Sequence, residues 1–490
     1  MIRRTKWVSA LAIAAGATAA ACADNTITQP AARSGAQLSV AGEGAAAKQY
    51  VIVGSLPSNL EAKVAAFGGK LTASYPQIGV AIAEGDDAFA ANAAGLKGIE
   101  TVVQDVVFEQ AQPKVVDLDE SAFAVASEGV TESTIADTYA NPYYFAEWGP
   151  RAIGAPAAWA AGYRGAGARV AILDGGLYTN HQDLAGAIDI ARSRSFVPNK
   201  AFDSDVGTLW HGTHVAGIVG ARDNKLGVVG IAPEATLIGV KVLHNGGGTF
   251  GWAINGIMYA STPIAQGGAG AQIINMSLGA LVDKGQPGYS DAGLRSLIRA
   301  IDRATAYAWD NGVTVIAAAG NDTTNLDNRA FINLPSQTNK VISVAATGPM
   351  GWAYGATDYS RQASYTNSGK AGVDLAAPGG DFAYPTNELC TVFNPSRTGG
   401  LRTACWVFDM YLSTSRGSSA AGSYSWAAGT SMASPATAGV AALIVGKYSG
   451  MITPAAVRAK LQQSAEDLGK PGNDEVYGMG WINAGRAVQQ

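Results

Sequence analysis

The stretch Arg169-Val170-Ala171-Ile172-Leu173-Asp174-Gly175-Gly176 decides how the larger part of this chain is built. Residues 170–173 are apolar without alternation and run directly into a carboxylate and two glycines. A strand with one wet face would alternate. Continuous apolarity of this length fits a strand buried on both faces, as in a parallel sheet covered by helices. Similar runs recur at 236–242, 272–278, 313–318, 341–346 and 373–376, and the intervening segments 252–265 and 293–309 have helical length. Strand and helix in alternation predict a doubly wound α/β domain with a mostly parallel sheet, whose functional site belongs at the carboxyl ends of the strands. Asp174 stands at such an end, where its side chain would project into a turn.

Working outward, residues 141–490 form this domain and residues 48–112 a smaller one. The smaller pattern has a strand at 50–53, a helix at 60–67, a strand pair at 71–75 and 79–83, an Ala-rich helix at 89–96 and a last strand at 100–108. That order predicts a small α+β module of the ferredoxin-like kind. Residues 113–140 turn acidic (Asp117, Asp119, Glu120, Glu128, Glu132, Asp137) and read as an exposed linker open to proteolytic nicking. Residues 23–47, rich in Ala, Gly, Ser and Thr, read as a flexible tether. In residues 1–22, Arg3, Arg4 and Lys6 precede an apolar stretch at 7–21 that ends in small residues, the pattern of an export signal too short to span a bilayer comfortably. Cys22 after Ala19, Ala20 and Ala21 leaves two readings open: a lipoprotein cleavage box with a lipid anchor, or ordinary signal cleavage.

The 490 residues exceed one ordinary compact unit, and 48% hydrophobic content with 61 glycines describes a globular protein rich in tight turns. A net charge of −4, with no Lys/Arg block beyond the N-terminus, gives no electrostatic footprint for nucleic acid or an anionic membrane surface. Peptide or small-molecule substrates fit better. Of three cysteines, Cys390 and Cys405 lie outside the signal. In an exported protein they are expected to pair as a disulfide, two buried thiols being the alternative.

Two further segments carry chemistry: His211-Gly212-Thr213-His214-Val215-Ala216-Gly217 and Gly429-Thr430-Ser431-Met432-Ala433-Ser434-Pro435. Both open helices whose small residues permit close packing. A serine at a helix start, with Pro435 tolerated in the first turn, sits near unpaired N–H groups that stabilise negative charge. Each residue alone has a plainer reading. Ser431 could be a helix cap and Asn321 a turn residue. His211 and His214 could be two metal ligands, but no third is evident. His214 reads as a packed structural residue, His181 and His244 as surface or loop residues.

Taken together, the Asp174, His211 and Ser431 segments resemble the three active-site signatures of subtilisin-like serine proteases, the subtilases, in that family's order. Asn275-Met276-Ser277-Leu278-Gly279, Ala317-Ala318-Ala319-Gly320-Asn321, Asp374-Leu375-Ala376-Ala377-Pro378-Gly379 and Tyr477-Gly478-Met479-Gly480-Trp481-Ile482-Asn483 agree with it too, so the resemblance covers 141–490. It implies an exported, monomeric serine endopeptidase that acts on polypeptides through an acyl-enzyme, without a catalytic cofactor. His211 would take the proton of Ser431 and Asp174 would orient His211. The Asn321 amide and the Ser431 N–H would stabilise the oxyanion. Gly246, Gly247 and Gly248 on one side, and Ser277, Leu278 and Gly279 on the other, resemble the edges between which a substrate adds as a strand. A structural Ca2+ is also implied, held by the side chains of Asp183 and Asn224 and the carbonyls of Arg222, Leu226 and Val228, with one ligand from the N-terminal side that the sequence does not identify. Residues 48–112 resemble the family's propeptide, folding aid and intramolecular inhibitor in one, which predicts a cut within 109–140. Ala436 departs from the histidine often found there, and 381–425, longer than usual for the family, is expected to border the cleft and influence specificity. A silent binding protein on this fold and a peptide ligase or cyclase are the competing classes.

Overall fold

The computed structural model describes residues 39–40, 48–109, 113–119, 123–124, 141–285, 291–394 and 399–490. The export signal at 1–22 with Cys22, most of the 23–47 tether, and Glu120, Glu128, Glu132 and Asp137 lie outside them.

Val170 and Ile172 pack into one hydrophobic core with Val215 and Val440, while Ala171 and Leu173 pack into another with Ile254 and Leu297. Both faces of this strand are covered, which is why its sequence does not alternate. The strand, Arg169–Asp174, is third in a seven-stranded sheet ordered Arg194–Ser195, Thr236–Lys241, Arg169–Asp174, Ile273–Met276, Thr314–Ala318, Val341–Thr347, Leu375–Pro378. Every pairing within it is parallel. Helices His211–Gly220 and Thr430–Lys447 cover one face, and Phe250–Ser261 and Asp291–Asp310 the other. The chain leaves Arg169–Asp174 toward one edge and returns as Ile273–Met276 on its opposite side, so strand order reverses beside Asp174. Crevices at such reversals are where open α/β sheets bind ligands.

The smaller unit is an antiparallel sheet ordered Lys70–Tyr75, Val80–Gly85, Lys48–Gly54, Ile99–Gln104, with helices Leu60–Ala66 and Asp87–Ala94. Its strands alternate for a physical reason. Tyr50 and Ile52 meet Leu60, Val64 and Phe89 of the unit's own helices, whereas Val51, Val53, Val80 and Ile82 join the core formed by Phe250–Ser261 and Asp291–Asp310. Burying each such aliphatic side chain contributes roughly 1.5–3 kcal/mol relative to exposure. Tyr75 Oη to Asn255 Oδ1 at 2.8 Å and Gly251 N to Asp105 Oδ2 at 2.8 Å add polar ties across the same junction.

Three expectations need correction. The last strand, read as 100–108, breaks into Ile99–Gln104 and Val106–Glu109 at the buried Asp105, and the second piece leaves the small sheet to pair with Gly247–Thr249. Within the segment read as tether, Ser39–Val40 pairs with Val106 and Val107. The stretch read as an exposed linker from 113 begins instead with the strand Lys114–Asp117, antiparallel to Ser423–Ala428. Its partner lies some three hundred residues away, so no local pattern could disclose it.

In the long segment 381–425, Leu389–Phe393 and Gly400–Ala404 form a hairpin beside the Cys390–Cys405 disulfide. Tyr411–Ser415 and Ser423–Ala428 form a second hairpin that runs into Gly429 and the helix of Ser431. No helix among the described residues is long and apolar enough to cross a membrane.

Candidate active site

Asp174 is the last residue of its strand and is buried. Its Oδ1 accepts from Gly175 N at 2.6 Å, and His211 Nδ1 lies 2.9 and 3.0 Å from Oδ1 and Oδ2. This approach depends on Gly212, where a Cβ would stand 2.5 Å from the Gly176 carbonyl and 3.0 Å from Asp174 Cβ. Burial alone would lower the His211 pKa. The charge and hydrogen bond of Asp174 outweigh it, and the net shift is upward. Beneath the turn, buried Lys241 donates from Nζ to the Gly175 carbonyl, and its Nζ lies 3.9 Å from Asp205 Oδ1.

His211 opens its helix directly after Trp210, whose φ of 46° is left-handed, an unfavourable conformation for a bulky residue. The Trp210 ring packs edge-on against Tyr178, with centroids 5.4 Å apart. Nothing in the sequence singled out Trp210 except its place before the motif. His214 is the packed histidine expected: buried, with Nε2 2.9 Å from the Ser425 carbonyl, and its pKa lowered to about 3 chiefly by burial. His181 is not a surface residue. It is buried, its Nε2 lies 2.7 Å from the Ser423 carbonyl, and its ring packs edge-on to Tyr424. His244 is half-buried, with Nδ1 3.4 Å from Asp205 Oδ1.

Ser431 is the second residue of helix Thr430–Lys447, which packs against the His211 helix. Pro435 lies in the second turn of that helix, not the first. It has no N–H to give the carbonyl four residues back, which is that of Ser431. That carbonyl accepts from Ser277 Oγ at 2.7 Å instead. Ser434 Oγ to Asn275 Oδ1 at 2.7 Å and Asn275 Nδ2 to Ser277 Oγ at 3.0 Å complete a buried relay that fastens the helix to the end of strand Ile273–Met276. Asn321 is oriented from the same helix. Its Oδ1 accepts from Thr430 N at 2.9 Å and Thr430 Oγ1 at 2.7 Å, so its Nδ2 faces the opposite way. Pro113 lies beside Gly429, two residues before Ser431: a Cβ on that glycine would stand 3.6 Å from the Pro113 Cβ.

The two expected binding edges differ. Gly247 and Gly248 pair antiparallel with Glu109 and Phe108, and the Phe108 ring packs at a tilt against Phe250 with centroids 5.4 Å apart, while Gly246 forms the positive-φ turn before them. Ser277, Leu278 and Gly279 are in place at the end of Ile273–Met276, yet no described strand pairing includes them.

The expected cation residues also converge. The Asn141 amide group lies within 3.4 Å of the Arg222, Leu226 and Val228 carbonyls, more acceptors than its two N–H bonds serve well. Asp183 Oδ2 accepts from Val228 N at 2.9 Å, whereas Asp183 Oδ1 and Asn141 Oδ1 are buried without a hydrogen-bond partner. Asn224 Oδ1 accepts from Leu226 N at 2.9 Å within the same loop. Asn141 is the residue from the N-terminal side that the fold places against these three carbonyls. Buried polar atoms are rarely left unpaired, and a turned Asn141 amide would add a further oxygen to the three carbonyls and Asp183. An oxygen-only set of this kind suits a hard divalent ion.

Comparison with known proteins agrees with this geometry. The subtilase family profile (Peptidase_S8) matches residues 165–480. Subtilisin E of Bacillus subtilis (strain 168) is 33% identical over 363 residues, 74% of this chain and 75% of that protein. Thermitase of Thermoactinomyces vulgaris is 31% identical over 352 residues, 71% of this chain and 98% of that protein. Among solved structures, fervidolysin from Fervidobacterium pennivorans, a keratinolytic enzyme related to subtilisin, superposes with a TM-score of 0.64 at 24% identity over 91% of this chain, which spans 61% of fervidolysin. A lanthipeptide protease superposes with a TM-score of 0.53 at 27% identity, covering 67% of this chain and 90% of that one. With the catalytic sheet, the Asp174–His211 pair and a profile match across nearly all of the larger domain, the chain belongs to the subtilase family and is a subtilisin-like serine endopeptidase.

Proposed function

We propose that this endopeptidase is made as a self-inhibited, exported precursor in which Asp174, His211 and Ser431 form the triad and residues 48–112 inhibit it until cut. His211 removes the Ser431 proton as Oγ attacks the scissile carbonyl, then returns it to the leaving amine, and water repeats the cycle on the acyl-enzyme. Asp174 holds the imidazole tautomer that presents Nε2 to the serine. The Asn321 amide and the Ser431 N–H stabilise the oxyanion, a contribution of about 3–4 kcal/mol for a single such donor. The family's chemistry needs no catalytic cofactor, and its substrates are polypeptides.

One observation carries the inhibition. The strand leaving the small unit, Val106–Glu109, pairs with the glycine edge, and the chain returns at Pro113 against Gly429, beside the nucleophile. Substrates of such enzymes add as strands to the same edge, so the uncut chain competes with them. Asp105 reinforces the docking by accepting from Gly251 N, an otherwise unpaired donor in the first turn of Phe250–Ser261. The cut that frees the enzyme therefore falls between residues 109 and 113. Export is supported by the pattern of residues 1–22 and by the Cys390–Cys405 disulfide, which persists in oxidising compartments. Calcium at Asp183, Asn141, Asn224 and the Arg222, Leu226 and Val228 carbonyls would stabilise the fold and supply no step of the reaction.

The test is N-terminal sequencing of secreted wild type and Ser431→Ala, with labelling by an active-site serine phosphonate. Wild type is expected to label and to begin between residues 110 and 113, while Ser431→Ala stays uncut and unlabelled. Normal trimming of Ser431→Ala without added protease would refute self-processing.

A further inference from the structure

The turn after strand Arg169–Asp174 is held from below by a charge that the proposed reaction does not use. Lys241 is fully buried at the end of strand Thr236–Lys241, and the register of the parallel ladder sets it directly beside Asp174. Its Nζ donates to the Gly175 carbonyl, while Gly175 N donates to Asp174 Oδ1 at 2.6 Å. The residue after Asp174 is thus tied at one end to the carboxylate and at the other to the ammonium. Only small residues fit this turn: a Cβ on Gly175 would collide with Asp205 Oδ2, and one on Gly176, whose φ is 129°, would stand 2.8 Å from the Phe202 carbonyl. Asp205 Oδ1 accepts from Asn245 N at 3.2 Å and lies 3.9 Å from Lys241 Nζ. A buried ammonium is costly unless negative charge answers it. Burial lowers the Lys241 pKa, and the charges of Asp205 and Asp174 oppose that.

We infer that Lys241 is a positioning residue for the Asp174–His211 pair, and that with Asp205 it forms a buried charge pair that fixes the Asp174 turn and the electrostatic setting of His211. Lys241 acts through Gly175 and Asp174, not on the reacting atoms. The inference rests on the endopeptidase reading above, in which Asp174 orients His211. Two effects follow from the charge. An ammonium anchors the Gly175 carbonyl more firmly than a neutral donor would, so the carboxylate stays where His211 Nδ1 meets its two oxygens at 2.9 and 3.0 Å. The cation also separates two acids. Without it, Asp174 and Asp205 would face one another as like charges in a buried site, and both they and His211 would bind protons more tightly. The neighbouring charges already act in that sense. Against burial, which lowers the His211 pKa, Asp174 and Asp205 both raise it. Burial raises the Asp205 pKa, Lys241 opposes this and Asp174 adds to it. His244 Nδ1 lies 3.4 Å from Asp205 Oδ1, but burial and the charges of Lys241 and Lys200 hold its pKa below the ordinary value, so at neutral pH it adds no second cation.

The experiment compares self-processed wild type, Lys241→Met and Asp205→Asn, each titrated with the serine phosphonate so that rates refer to folded active sites. It follows kcat, KM and the pH profile of kcat/KM on one fluorogenic peptide, the profile reporting the free enzyme's His211. Lys241→Met is expected to lower kcat roughly tenfold or more while KM changes by less than about threefold. It should also move the acidic limb to higher pH, whereas Asp205→Asn should move it to lower pH, each by roughly half a pH unit. A general loosening of the core would not drive the two limbs in opposite directions. Should Lys241→Met yield no titratable enzyme, Asp205→Asn decides: a limb at lower pH supports the inference and an unmoved one overturns it. A Lys241→Met enzyme with wild-type kcat, or limbs that stay in place or move the same way in both variants, overturns the inference and leaves the endopeptidase reading intact. A wild type that neither cleaves the peptide nor labels at Ser431 overturns the reading itself and the inference with it.

Discussion

Two buried aspartates of this chain stand a few residues apart in sequence and behave as opposites. Asp174 is complete within the protein, its oxygens engaged by Gly175 N and His211 Nδ1. Asp183 is incomplete: Val228 N serves Oδ2, while Oδ1 is buried with nothing to accept from, and burial raises its pKa to about 6. A buried carboxylate needs its charge answered. The first is answered by the imidazole of His211, whereas Oδ1 of the second finds no hydrogen-bond partner among the described residues.

The largest effect that sharpens this contrast falls on the complete site. Asp174→Asn should lower kcat by roughly 10⁴, because the remaining amide no longer fixes the useful imidazole tautomer. The pH profile adds a sign. In wild type, activity is expected to fall as the medium acidifies through the His211 pKa, which the Asp174 charge and hydrogen bond raise above its ordinary value. Burial lowers that pKa and the Asp174 charge raises it, so removing the charge moves the acidic limb toward lower pH. A kcat/KM profile of the phosphonate-titrated variant checks both, and an acidic limb that stayed in place would mean the pair is not coupled as its geometry requires.

The incomplete site should respond to an ion instead. Calcium at about a hundredfold excess over its Kd adds about 2.7 kcal/mol of stability. In a domain this large, with an unfolding entropy of about 2.1 cal/mol/K per residue, that corresponds to a Tm change of about 4 °C. Scanning calorimetry of the self-processed enzyme in calcium and in chelator should show that difference, and Asp183→Ala should abolish it. A chelator-insensitive wild type would leave Asp183 Oδ1 without an explanation.

The same contrast explains what could be read in advance. The reaction proposed above selects side-chain type, so residues such as Asp174, His211, Ser431 and Asn321 stand out in a sequence, and continuous apolarity places Asp174 at a strand end, where the fold has it. At the Asp183 loop most oxygens come from backbone carbonyls, which any residue supplies, and Asn141 is one asparagine among many until the fold brings it there. Lys114–Asp117 was hidden for a related reason: acidic neighbours masked Val115 and Val116, and its partner is remote in sequence. His181 looked like a loop residue because a polar ring in a turn carries no sign of the Ser423 carbonyl that lets it be buried.

The smallest effect tests how firmly the helix that carries Ser431 is held. Because Pro435 offers no N–H, the buried Ser431 carbonyl depends on Ser277 Oγ. Ser277→Ala should therefore cost about 0.5–1.5 kcal/mol of stability, the usual net contribution of one intramolecular hydrogen bond. Pro435→Ala restores an N–H at the position from which a helix serves that carbonyl, so in this background Ser277→Ala should cost measurably less. The double-mutant cycle separates this from a general loosening of the core. If the two substitutions were strictly additive in urea denaturation, the hydroxyl would not be standing in for the missing amide, and the coupling between the Ser277 edge and the Ser431 helix would have to lie in the Asn275 relay alone.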